Sequence, residues 1–317
     1  MSSETVDGRR GVDVDVTLES VRAIARKDFQ DAVRSWLFWG LSVFFFTLLT
    51  VITGVIWFFA GDPILAEALT TEVLLEVVSQ VTRVVLPVIG LVVGWKAIAG
   101  EREAGSIKVL LSLPHSRMDV VLGKLLGRSL VLGLSLVVGF ALAAVVVAAF
   151  MGRFDVGAYL GLLAVSILYG VAYVSIAVAI SAVTRSTTIA GVAVFSVFLL
   201  FYVVWNAMIW MLQALMSLGH IEGVEYTVEF AGQEVTGERL PDWALFLDVL
   251  DPGNAYANAL SLVTGVETLE GLSGAPPDLF ENGVPFFLQD WFAFVVLLTW
   301  IVVPLVVALV RFDRIDL

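Results

Sequence analysis

Few residues in this sequence could carry chemistry, and the familiar constellations are missing. There is no cysteine, and the two histidines, His115 and His220, stand far apart without a partner motif. That excludes thiol chemistry, a disulfide framework and cysteine-ligated zinc, and leaves the histidines as loop or interface residues. No G-x-x-x-x-G-K-[ST] phosphate loop occurs. The nearest string, Gly123-Lys124, has Met118 where the first glycine belongs. ATP binding by that route is therefore not expected, and neither is a cofactor or a metal. There is no HExxH, no Ser/His/Asp set and no pair of carboxylates inside an apolar run. That argues against an intramembrane protease and against a proton-coupled carrier, which needs an ionisable relay.

Two polar groupings remain. One is Glu101-Arg102-Glu103, followed by Gly105 and then by Ile107, Leu110 and Leu111, up to Pro114 and Arg117. It reads as a helix end, a glycine break, a short amphipathic helix and a proline stop. Carboxylates at a helix C-terminus do nothing for its dipole, which favours cations there, so they suggest an outside partner. The other reading is a solvated loop with basic anchors. The second grouping is polar residues within apolar runs: the i, i+4, i+7 stripe Glu76, Gln80 and Arg83, then Ser166, Tyr169, Tyr173, Ser175, Asn206 and Gln213. These could line a translocation path, or simply hydrogen-bond between helices, with Glu76 and Arg83 reaching to the interface.

The elements that must position these groups are membrane spans. The 317 residues are 59% hydrophobic and 15% charged, and the mean hydropathy is +0.94. The apolar residues come in runs of the roughly 20 needed to cross a bilayer. Six spans are expected, at about 37–60, 76–99, 120–150, 156–183, 188–212 and 291–310. Trp36 and Trp39 mark one end of the first and Trp57 the other. Spans three and four are long enough to tilt or project, Pro87 and Pro304 should kink their helices, and Gly157 and Gly161 form a small-xxx-small packing pair. Residues 1–16 form an acidic, disordered N-terminus without the apolar stretch of a signal peptide. Residues 17–36 form an amphipathic helix in the interface plane. Its apolar positions are Leu18, Val21, Ala25, Phe29, Ala32 and Trp36, its polar side carries Arg22, Arg26, Lys27 and Arg34, and Thr17 is the cap.

With the N-terminus inside, fifteen of the 18 Lys and Arg fall on the cytoplasmic side and three, Arg83, Arg153 and Arg239, on the other. Both termini are therefore expected in the cytoplasm. The 215–290 segment, with thirteen acidic residues and one Arg, is expected outside as a small lobe with a hairpin near Val224–Phe230. The net charge of −12 with only four Lys suits a microbe living in concentrated salt, where carboxylates hold water and screening is severe. It makes nucleic acid an unsuitable partner.

The string from Glu101 to Arg117, with Gly123, Lys124 and Arg128 after it, resembles the signature of type-2 ABC transporter permeases. Two weaker matches are the N-terminal stretch Ala23–Trp39 and Asp251–Tyr256 before the last span. The resemblance covers most of the chain. It lies nearest to permeases of the nitrous-oxide-reductase maturation type, which are common in archaea. It implies an all-α polytopic permease that pairs with a second copy or a paralogue, in contact with membrane lipid. ATP would be hydrolysed on a separate ATPase subunit. Glu101, Arg102, Glu103, Gly105, Ile107, Leu110, Leu111 and Arg117 would form the part that docks the ATPase. Residues 17–36 would be a connecting helix that also touches it. Export is the expected direction, and the substrate is open. The alternatives are a non-transporting assembly or regulatory subunit and an ion-coupled carrier.

Overall fold

The computed structural model describes residues 17–59, 71–106, 116–151, 155–230, 233–265, 280 and 283–312. The expected short helix with Ile107, Leu110 and Leu111, the stretch 1–16 and His115 lie outside them. Six helical stretches are long and apolar enough to cross a membrane: Trp36–Phe59, Val73–Glu103, Arg117–Phe150, Val156–Val183, Thr187–Ser217 and Asp290–Arg311. They follow the expected order. This is an all-α polytopic membrane protein with one small β-hairpin.

The chain starts with α1 (Leu18–Val33), capped by Thr17, whose hydroxyl accepts from the Ser20 N–H. Its buried face is Val21, Ile24, Ala25, Asp28 and Ala32. Leu18 and Trp36, expected on the apolar face, are instead exposed. α1 ends at Val33, so Trp36 is not part of it and instead opens the next helix. Leu18 stands in the first turn, where the helix that starts at Arg117 reaches the chain through the Thr17 N–H, which donates to Asp119 at 3.1 Å. The spans are α2 (Trp36–Phe59), α3 (Thr71–Gly94) with its short extension α4 (Ala99–Glu103), α5 (Arg117–Met151) and α6 (Val156–Val183). Then come α7 (Thr187–Leu199), a π-turn at Leu200–Trp205 and α8 (Asn206–Ser217). Strands β1 (Val224–Phe230) and β2 (Gln233–Arg239) pair antiparallel. Helices α9 (Asp242–Val249) and α10 (Pro252–Thr264) precede the last span, α11 (Asp290–Phe312).

Helix α5 has 35 residues and is about 52 Å long, so it outreaches one hydrocarbon thickness. Its first turns carry α1, and further along it packs on α2. Close approach is possible because α5 has glycines at the crossings. A Cβ on Gly123 would sit 2.7 Å from Ile24, one on Gly127 2.9 Å from Asp28, and one on Gly139 2.7 Å from Phe45. Helix α6 is the most buried span and packs against α3, α5, α10 and α11.

The segment between α8 and α11 is more than a surface lobe. Helix α10 packs on α6 and α11, and Pro252, Gly253, Ala255, Tyr256, Ala257, Asn258, Ala259 and Leu260 are buried. Small side chains let it enter the bundle, and Gly161 of α6 meets Val263 there. Gly157 does not share this contact; it faces the Asp155 carboxylate that caps α6.

Candidate functional site

Pro87 sits inside α3 and has no N–H to give to the carbonyl four residues back, which belongs to Arg83. That carbonyl is satisfied from outside the helix: the Tyr169 hydroxyl of α6 donates to it at 3.0 Å. The carbonyl freed by Pro87 thus binds α3 to α6 at the level of Arg83. The Arg83 side chain turns towards α10. Its guanidinium donates to Asn254 Oδ1 and lies 3.9 Å from Asp251 Oδ2. Asp251 also caps α10 by accepting from the Asn254 N–H at 2.9 Å, and the Asn254 amide donates to Asp248. A side chain at Gly253 would run into Arg83 at 2.9 Å, so the glycine makes room for the guanidinium. Burial pushes the Asp251 carboxyl up to about 6, against the opposing pull of the Asn254 N–H and of Arg83.

These residues border a cavity of about 250 Å³ lined by α3, α6, α7, the π-turn, α8 and the start of α10. Of the nine polar residues that the sequence offered as a lining, Gln80, Arg83, Tyr169, Tyr173 and Asn206 border it. Gln213 does not, and Ser166 and Ser175 instead bond between helices, to Tyr256 and to the Ile301 carbonyl. Glu76 does not border it either; one turn away, it accepts from the Gln80 amide at 2.8 Å. Four more aromatic residues, Phe198, Phe201, Tyr202 and Trp210, join the wall, with Val84, Pro87, Asp251 and Gly253. Tyr169 stacks on Tyr256 with ring centroids 4.6 Å apart and meets Tyr173 edge-on. The π-turn was not foreseen, since a wide turn in an apolar run has no composition of its own. Asn206 bridges it by donating to the carbonyls of Phe201 and Tyr202, and such turns occur often at functional sites. Asp251 was visible only as part of a motif, and nothing local showed that it would meet Arg83, 168 positions away.

A second polar cluster lies where α1, α4 and α5 meet. Lys124 donates to Asp28 Oδ1 at 2.8 Å and contacts Glu101 Oε1 at 2.5 Å. Arg128 Nε lies 3.0 Å from Asp28 Oδ2 but off the hydrogen-bond axis, so that contact is one of charge. Arg102 donates to the Thr184 carbonyl at 2.6 Å, and Glu103 accepts from the Thr187 hydroxyl at 2.6 Å. Ser181 accepts the N–H groups of Ile98 and Ala99. Glu101, Arg102 and Glu103, expected to face a partner, thus have partners inside the chain. Gly105 takes the left-handed φ of 71° that ends α4. Arg117 begins α5. Arg22, Arg26, Lys27 and Arg34 are all exposed on α1.

Residues 22–317 match the family described as "ABC-2 family transporter protein". The chain belongs to the ABC-2 transporter family. Two curated relatives of this ABC-2 protein are both called "Probable ABC transporter permease protein NosY". That of Pseudomonas aeruginosa is 32% identical over 131 residues, 41% of this chain and 46% of the relative. That of Stutzerimonas stutzeri is 28% identical over 140 residues, 44% of this chain and 50% of the relative. The chain spans about half the length of the curated relatives it matches.

Proposed function

We infer that this ABC-2 protein is the permease subunit of an ATP-binding cassette transporter, working as an exporter. Two permeases pair, and separate ATPase subunits supply the hydrolysis. The observation that carries this reading is the cavity: five polar residues scattered over the sequence from Gln80 to Asn206 converge on one space between spans. The family membership and the six apolar helices support it, as does the absence of a phosphate loop from the sequence. In this reading both termini, α1 and α4 are cytoplasmic and the hairpin, α9 and α10 lie towards the outside, which the asymmetry of Lys and Arg supports. The acidic excess fits a salt-loving host.

In this reading α4 and the residues after Gly105 receive the ATPase, and the exposed cations of α1 face the same way. The cavity then opens to one side or the other as nucleotide selects between two arrangements of the helices. An ion-coupled carrier would need a carboxylate free to relay protons. Asp251 is the buried acid at the cavity, and Arg83 and the Asn254 N–H already engage it.

The chain has no cysteine, so single cysteines make clean probes. In the complex purified with its ATPase, maleimide should modify Tyr173→Cys and Asn206→Cys in one nucleotide state and spare them in the other. Equal modification in both states would remove the pathway reading. The chain purified alone should not hydrolyse ATP.

A further inference from the structure

Lys124 is a buried cation with a carboxylate on each of two other elements, and those carboxylates are not equivalent. On the α1 side, the Asp28 and Lys124 side chains are 5% and 8% exposed. Gly127 keeps the space that Asp28 occupies, and Arg128 gives the same carboxylate a second cation. On the α4 side, the Glu101 side chain is 28% exposed. Its Oε1 meets Lys124, while its Oε2 is buried without a hydrogen-bond partner among the described residues. Asp28 Oδ2 likewise has no hydrogen-bond partner among the described residues, so the two carboxylates differ in exposure and in the second cation: Glu101 lies close to solvent and has Lys124 alone, at 2.5 Å. Asp28 could leave only by parting from two cations at once, Lys124 and Arg128.

The position of this joint gives the asymmetry a use. α1 and α2 pack along α5, while α3, α10 and α11 pack around α6, and α5 also packs directly on α6. Helix α4 continues from α3 and is tied to the α6–α7 corner by Arg102, Glu103 and Ser181. The Glu101–Lys124 contact is a charged link between the α4 corner and the α1–α5 unit. We propose that Lys124 is a positioning residue that holds Asp28 permanently and Glu101 reversibly, so that opening of the Glu101 contact releases the α4 corner from the α1–α5 unit when the ATPase pulls on it. This rests on the transporter reading above. A cation shared unequally in this way lets one side swing while the other stays fixed, a two-state element that nucleotide can bias.

The test uses the chain assembled with its ATPase subunit, with nitroxides at Ala23→Cys on α1 and Ala104→Cys just after α4. In the wild type, the distance between them should be narrow without nucleotide and should shift on trapping with ADP and vanadate. Glu101→Gln keeps the side chain's shape and removes its charge. It should raise the population of the shifted distance without nucleotide about tenfold, the ratio expected when one charge-assisted hydrogen bond is lost. It should also raise basal kcat at unchanged KM for ATP, because hydrolysis no longer waits for the contact to open. Lys124→Arg, which keeps the cation, should keep the wild-type distance and rate. Glu101→Gln with wild-type distances and wild-type kcat overturns the proposal while leaving the transporter reading intact. A wild-type complex whose distances ignore nucleotide overturns both.

Discussion

Asp28 and Asp251 are both buried acids facing a cation on another helix, yet their surroundings differ. Asp28 lies mid-helix in α1, where it caps nothing, and is held by Lys124 at 2.8 Å and Arg128 at 3.0 Å. Asp251 lies at the N-terminus of α10, where it caps the helix, and its cation is 3.9 Å away. The first is a joint between helices that remain packed, with short contacts and matched charges. The second combines a helix cap with a looser ion pair at the edge of a cavity. A buried pair is worth most where removing one partner strands the other, and that condition is met far more fully at Asp28.

Substitutions can break this comparison. The largest effect is expected for Asp28→Asn, which takes the carboxylate from Arg128 and leaves Lys124 with Glu101 alone, and should cost about 3–5 kcal/mol. Thermal unfolding of the purified chain in detergent would read this as a lowered midpoint. Gly127→Ala should come next, at about 1–3 kcal/mol, because its methyl group presses on Asp28 and the Ala25 carbonyl. If it matched wild type, α1 would not be held against α5 as tightly as the geometry implies.

Asp251→Asn should cost only about 1 kcal/mol, since asparagine still caps a helix and Arg83 keeps its bond to Asn254. The same variant carries a pH test. Because burial raises the carboxyl of Asp251 to about 6, the folded chain holds that proton more tightly than the unfolded chain does. Its contribution to stability is present below the ordinary carboxylate value and is lost as pH rises through about 6. Asp251→Asn should therefore lose less stability than wild type between pH 5 and 7.5. An equal loss in both would place the titration elsewhere, with neighbouring Asp248 the first candidate. The smallest effect, under about 0.5 kcal/mol, is expected for Arg22→Gln with Arg26→Gln, because both side chains lie in the open on α1. A larger loss in the isolated chain would show that α1 uses these cations for its own packing.

The six spans could be read from the sequence because each is a local property, a run of apolar residues long enough to cross hydrocarbon. The Thr17 cap, the Pro87 position and the alternating strand from Val224 are equally local. The cavity was half legible. Gln80, Arg83, Tyr169, Tyr173 and Asn206 drew notice as polar side chains in apolar surroundings, and nothing in their spacing said that they would share one space. Asp28 was hidden among the polar residues of an amphipathic helix, where an acid normally faces water. Trp36 misled because it kept the apolar period past Val33, where α1 ends and a new helix begins.

The sequence by itself determined the number and order of the spans, the Thr17 cap and the hairpin, all of which follow from neighbours along the chain. Only the tertiary structure decided which polar groups meet. Arg83 and Asp251 are brought together because α10 folds back into the bundle. Tyr169 reaches the carbonyl freed by Pro87 because α6 passes beside α3. Lys124 stands between Asp28 and Glu101 because glycines on α5 admit α1 and the turn after α3 brings in α4. Such contacts depend on which helices pack side by side, and helix packing depends on shapes contributed by residues far apart in the chain.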